Sequence, residues 1–179
     1  EEGQSGAAAT AFGKAIEQNA SVAEALVNLA GLRAEARDLE GAVAKLAEAR
    51  RVEPRLREAW LPAFGYLESL GRIEESIALR SEYLAWNPKE IGHRVALARS
   101  VLALQFNTVD DELLLRTFAE LEALGAAERD DVRLLRATHA MHRGEHEPAR
   151  EILRRVIESA TSSPTQREEA TRLLEKLRP

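Results

Sequence analysis

Apolar residues recur at spacings of three and four along nearly the whole chain, as in Leu26, Leu29 and Ala30, then Val43, Leu46 and Ala47. That is the period of a helix with one buried face. β-branched residues are scattered singly, while Ala, Leu, Glu and Arg, all strong helix formers, dominate. The pattern predicts helices over about 6–19, 22–37, 39–52, 56–70, 72–86, 89–104, 109–124, 130–143, 146–160 and 165–177. Gly71, Gly125 and Gly144 fall where helices should end, since glycine takes the left-handed cap without strain. Pro54, Pro88 and Pro164 fall where the next helix should begin.

The pattern also repeats. Shifted by 34 residues, Pro54 falls on Pro88, and Glu24-Ala25-Leu26 falls on Glu58-Ala59-Trp60. Gly3 falls on Arg37 and then Gly71, and Ala8 on Ala42 and then Ser76. Leu29 and Ala30 meet Leu97 and Ala98 two periods later. A fixed period of this length marks a stacked array of supersecondary units, none of which can bury its apolar face alone. With two helices per unit, the chain resembles the tetratricopeptide repeat (TPR) family. The segment 23–54, AEALVNLAGLRAEARDLEGAVAKLAEARRVEP, is similar to that consensus nearly end to end. It has the anchor Leu26, the pair Leu29-Ala30, the turn Arg37-Asp38-Leu39, the small residue Ala42 and the closing Pro54. Residues 57–88 match next best through Trp60, Gly71, Ser76, Tyr83 and Pro88.

The resemblance implies an all-α, right-handed α-α solenoid over 1–179 with a C-terminal capping helix. Its units are 1–22 (the second helix of a truncated repeat), 23–56, 57–90, a divergent 91–129, 130–162, and the cap 163–179. In 91–129, Asp110 occupies the small-residue slot and Gln105-Phe106-Asn107-Thr108 the turn, and about five residues within Gly125–Arg129 break the register. In 130–143, Arg133 and Arg136 stand where apolar residues are expected, which leaves that register open by one residue. Ala30, Ala42 and Ala49 should be buried where helices meet. Running the period backwards makes Glu1-Glu2 the stub of a first helix and Phe12 and Ala15 packing residues of the second. The natural protein is therefore expected to extend upstream.

Composition narrows the function. Apolar residues make up 45% and charged residues 31%, at a net charge of -5, as expected of a folded chain. The absence of cysteine removes disulfides, thiolate metal sites and thiol nucleophiles. No basic stripe or Gly-rich phosphate loop appears, so nucleic acid is not an expected partner. No apolar run approaches the ~20 residues of a membrane span. Arg outnumbers Lys by 21 to 4 among abundant Ala, a bias of GC-rich bacterial genomes, so cytoplasm and periplasm are both open. His139, His142 and His146 could share one helix face, but Gly144 should end the helix between the last two, so no metal or cofactor is expected. The pairs Glu74-Glu75, Asp110-Asp111, Asp130-Asp131 and Glu168-Glu169 fall at predicted helix starts, where acids complement the helix dipole, and no enzymatic role is read into them. Trp60, Phe64, Tyr83 and Trp86 read as packing residues.

In TPR proteins the first helices of the units line a concave groove for peptides. The resemblance implies groove residues Glu24, Val27, Asn28, Gly31 and Glu35, then Glu58, Leu61, Gly65 and Glu68, then Val95, Arg99 and Leu102. Asn28 matches the family's frequent groove asparagine, whose amide can hold a peptide backbone as donor and acceptor. The Lys/Arg/Asn clamp that some members use for a terminal carboxylate is absent, its slots holding Val27, Gly31, Pro62 and Gly92. The expected function is therefore non-catalytic binding of a protein or peptide, with Arg or Lys beside apolar anchors. The alternative is a structural or self-assembling adaptor in a larger bacterial complex.

Overall fold

The computed structural model describes residues 22–104 and 111–178. The expectations for helix 6–19, for Phe12 and Ala15, and for the 105–110 turn with Asp110 lie outside these residues. The chain divides into two compact units, 1–83 and 84–179.

Among the described residues the helices are α1 (Val22–Glu35), α2 (Leu39–Val52), α3 (Leu61–Ser69), α4 (Ile73–Trp86), α5 (Ile91–Ala103), α6 (Asp111–Ala123), α7 (Asp130–His142), α8 (His146–Glu158) and α9 (Pro164–Lys176). No strand occurs among them. In the first unit α1 packs on α2 and α2 on α3. In the second, α5 packs on α6, α7 on α8 and α8 on α9, while α5 meets α7 and α7 meets α9. α1, α3, α5 and α7 are thus the first helices of pairs and α9 follows the last pair alone, and α5, α7 and α9 lie side by side within the second unit.

Helix ends follow local chemistry. Asp38 caps α2, its side chain accepting from the Gly41 amide at 2.8 Å. Ser163 and Gln166 form a reciprocal capping box on α9. Gly71, Gly125 and Gly144 take φ of 74°, 71° and 75°. After each, an amide reaches back to close the last turn: Arg72 to the Leu67 carbonyl, Ala126 to Leu121 and Glu145 to Ala140. Arg37, one period before Gly71, adopts φ 64° and the same closure, Asp38 to Arg33. Glu168-Glu169 lies a turn further into α9 than a dipole role requires.

One predicted helix is broken. Instead of a continuous 56–70, a 3₁₀ turn, Arg57–Ala59, precedes α3. Pro62 is the reason: it has no amide to give residue 58, so it stands in the first turn of α3, where none is needed.

The small-residue slots carry the packing. Ala30, Ala42 and Ala49 are buried, at 1%, 0% and 0% exposure. They form the first unit's core with Leu26, Leu46, Ala59 and Ala63. Counting the insertion, Ala137, Ala149, Leu153 and Val156 occupy the slots of Ala30, Ala42, Leu46 and Ala49, and all four are fully buried. The register in 130–143 therefore holds without a shift. Arg133 and Arg136 fit there because they are paired. Arg133 bridges Asp130 and Glu128, and Arg136 bridges Glu122 with its guanidinium 5.5 Å from the Phe118 ring centre.

Trp60, Phe64 and Tyr83 form a buried aromatic cluster with ring centres 5.7–6.1 Å from Tyr83. Trp86 departs from expectation. It is the last residue of α4 and is 54% exposed.

Candidate functional site

Each unit has a cavity on the face of its odd-numbered helices. In the first unit it has a volume of about 400 Å³. Val27, Asn28, Gly31 and Glu35 of α1 form one wall, Pro62 and Tyr66 of α3 the other, and Ala30 and Leu46 the floor. Asn28 and Glu35 are exposed at its rim. Gly31 and Gly65, one period apart, are both helical, and a Cβ at either would meet open space.

The second unit's cavity, about 270 Å³, is lined by Arg99, Leu102 and Ala103 of α5, by Asp131, Leu134, Leu135 and Thr138 of α7, and by Gln166 and Glu169 of α9. Leu102, Leu134 and Leu135 are 5–8% exposed and make its apolar floor. Asp131 accepts from Arg129 at 3.0 and 2.8 Å and from the Val132 amide. Hydrogen bonding from Arg129, above all, holds its carboxyl below the usual carboxylate range. Thr138 donates to the Leu134 carbonyl, and the Gln166 side chain accepts from Ser163.

The predicted groove residues separate on this geometry. Val27, Asn28, Gly31 and Glu35 meet at one cavity, and Arg99 and Leu102 at the other. Glu24 and Glu58 are exposed, and Leu61 is half-buried at the start of α3. Two residues do not face outward. Val95 is packed in the core at 6% exposure. Glu68 turns inward, accepting from Ser76 at 3.1 Å and Arg80 at 2.7 Å. It stands one period after Ala34, not Glu35, so its side chain leaves the helix on a different side. Of the residues not expected, Asp131, Leu134, Leu135 and Thr138 stand in the slots of Glu24, Val27, Asn28 and Gly31 once the insertion is counted, Ala103 stands in the slot of Glu35, and Gln166 and Glu169 lie on α9, outside the repeats. Carrying the slots across it is the signal that would have found them.

The histidines are not gathered. His139 is buried, with its ring 6.0 Å from Phe118 and Nε2 3.1 Å from Asp111 Oδ1. His142 is exposed at the end of α7, and His146 opens α8 beyond Gly144. Desolvation, then the neighbouring His139, lowers the pKa of His142. Among the described residues no group of His, Asp and Glu is placed to hold a metal ion, and no helix is long and apolar enough to cross a membrane.

No family model matches the chain, and no curated protein matches it. Solved structures do. A tetratricopeptide repeat protein from Parabacteroides merdae superposes with a TM-score of 0.75 at 17% identity, over 96% of this chain. This chain spans 66% of that protein's length. A thermophilic TPR protein of Thermus thermophilus gives 0.60 at 17% identity, covering 87% of this chain and 82% of its own. YrrB, a TPR protein with an unusual peptide-binding site, gives 0.63 at 20% identity, covering 94% and 91%. Paired helices, small residues at the crossings and these superpositions together show that the chain has the fold of the tetratricopeptide repeat proteins.

Proposed function

We propose that the chain is a non-catalytic binding module that holds a protein or peptide segment on the face of its odd-numbered helices. The observation that carries this reading is the pair of cavities on that face, each floored by aliphatic side chains. The glycines support it. A mid-helix glycine costs about 1 kcal/mol relative to alanine. Gly31 and Gly65 repay that cost with no contact inside the protein. They leave room for a partner's backbone to approach. YrrB, of the same fold, has a peptide-binding site.

The first unit's cavity favours a segment with Arg or Lys beside an apolar anchor. Glu35 is exposed at its rim, Glu24 stands on the same stripe of α1 as Asn28 and Gly31, and a basic segment is electrostatically complementary to them. The amidated peptide Ac-Ser-Lys-Leu-Leu-Lys-Gly-NH2, followed by calorimetric titration, tests this. Asn28→Ala should weaken its binding by about 1–3 kcal/mol, the cost of a lost buried polar partner. The thermal midpoint should barely move, because Asn28 is exposed in the free protein. Unchanged affinity in that variant would remove Asn28 from the site.

A second reading, a self-assembling adaptor, draws on the opposite face of the first unit. There a trough of about 400 Å³ runs between α2 and α4, floored by Val43, Ala47 and Leu79, and Val52 near the end of α2 is 55% exposed. Sedimentation over a dilution series separates the readings: a monomer throughout supports a peptide receptor, and concentration-dependent oligomers support assembly.

A further inference from the structure

The two cavities share a fold position but not a charge pattern. The slot that holds Gly31 and Gly65 in the first unit holds Arg99 and Thr138 in the second. Arg99 is exposed at the mouth of its cavity and makes no ion pair or hydrogen bond among the described residues. The other polar groups there are already engaged. Asp131 is neutralised by Arg129, Thr138 is bonded to the Leu134 carbonyl, and Gln166 is held in the α9 cap. Only Glu169, exposed on α9, is likewise without an ion pair among the described residues. The cavity therefore offers a cation from α5 and an anion from α9, with Leu102, Leu134 and Leu135 as its floor.

We infer that this cavity is a charge-reading subsite for a peptide segment in which aliphatic residues are flanked by an acid on one side and a base on the other. The aliphatic side chains enter the leucine floor, the acid meets Arg99, and the base meets Glu169. Arg99 can hold a carboxylate through two parallel N–H donors, which makes it the selective element. This inference rests on the reading of the odd-helix face as the binding surface and adds the chemistry that distinguishes the second unit from the first.

The test maps backbone amide shifts in the isotope-labelled full chain against two peptides. The mixed-charge probe is Ac-Ser-Glu-Leu-Leu-Lys-Gly-NH2, and the all-basic probe is Ac-Ser-Lys-Leu-Leu-Lys-Gly-NH2. The mixed-charge peptide should shift the amides of Leu102, Leu134 and Leu135 and bind there about tenfold tighter than the all-basic one. Arg99→Ala should abolish that preference, and Arg99→Lys should retain part of it. Both substitutions are at an exposed side chain, and unchanged thermal midpoints would confirm the fold. If the all-basic peptide shifts Asn28 and Gly31 but neither peptide shifts Leu134, this inference alone is overturned. A preference that survives Arg99→Ala overturns it too. If neither peptide shifts either cavity, the broader binding reading falls with it.

Discussion

The helix pair α1–α2 and the helices of the second unit solve one packing problem with different chemistry. In α1–α2 the anchor slot is Leu26, and the slots around it are Ala30, Ala42, Leu46 and Ala49, all apolar and buried. One period on, the anchor is Trp60, and another period on it is Arg94, also buried, at 6% exposure. Trp60 and Arg94 share more than depth. The Trp60 Nε1 donates to the Pro54 carbonyl at 2.8 Å, and the Arg94 guanidinium donates to the Pro88 carbonyl at 2.8 and 3.1 Å. The two donors are 34 residues apart, as are the two carbonyls. Arg94 also pairs with Glu120. The anchor slot therefore selects a long side chain that fills the gap between helices. Where that side chain carries N–H groups, the chain entering the helix supplies an acceptor. In the slot of Leu46, Arg80 is likewise a long buried side chain, but its acceptor is the Glu68 carboxylate on the preceding helix, and its guanidinium lies 4.4 Å from the Phe64 ring centre.

This comparison is sharpest at Arg94. Arg94→Ala should lose about 3 kcal/mol, because it opens a cavity and strands the Pro88 carbonyl. Arg94→Met strands the same carbonyl but keeps the volume and should lose only about 1 kcal/mol, since no cavity opens and Glu120 is 40% exposed and can rehydrate. Equal losses in chemical denaturation would show that the hydrogen bonds, not the volume, hold the slot.

The apolar pair breaks in the opposite way. Ala42→Leu should destabilise by about 2 kcal/mol through overpacking, since Ala42 is wholly buried between helices. A neutral result would mean that α1 and α2 can move apart freely.

The second unit also buries an acid. Asp130, 5% exposed, accepts from Ser159, Thr161 and Arg133, which ties the start of α7 to the end of α8. Burial pushes its pKa up, but the hydrogen bonds from Thr161, Ser159 and Arg133 outweigh this and hold it below the ordinary value. Its folded pKa is lowered, so its stabilisation is present above the unfolded carboxylate pKa and disappears as pH falls through the folded value. Asp130→Ala should cost about 2 kcal/mol at neutral pH. The gap from the wild type should close as unfolding is measured at successively more acidic pH. A gap independent of pH would exclude the ionised carboxylate as its source.

The smallest effect concerns the helix end that lacks a glycine. Arg37 holds φ 64° where Gly71 and Gly144 stand in other repeats. Arg37→Gly should stabilise by up to about 1 kcal/mol, relieving the left-handed strain against glycine's greater unfolded freedom. A fall in thermal midpoint would mean that the arginine side chain contributes more than its backbone costs.

Much was legible in the sequence. Ala30, Ala42 and Ala49 could be named as buried because close helix crossings admit only small residues, and that constraint recurs each period. Gly71, Gly125 and Gly144 marked helix ends because the left-handed turn favours glycine, although Arg37 takes the same turn without one. The apolar period runs unbroken through 56–70, and at Pro62 the missing amide outweighs it. Most of the unit-two cavity was not legible: the insertion before Asp130 offsets the slots of Asp131, Leu134, Leu135 and Thr138, and Gln166 and Glu169 lie on α9, beyond the last repeat.

By itself the sequence determined the helical period, the places where helices stop and the slots where they touch, for these depend on residues near in the chain and on side-chain size. Only the tertiary structure decided where individual polar side chains go. Glu68 turns to Arg80, Arg94 to Glu120 and Arg136 to Glu122, while Arg99 is left open beside a leucine floor. A long side chain can reach several neighbours, and which of them stands within hydrogen-bond distance is set by how the helices pack. Periodicity along one helix carries no record of that.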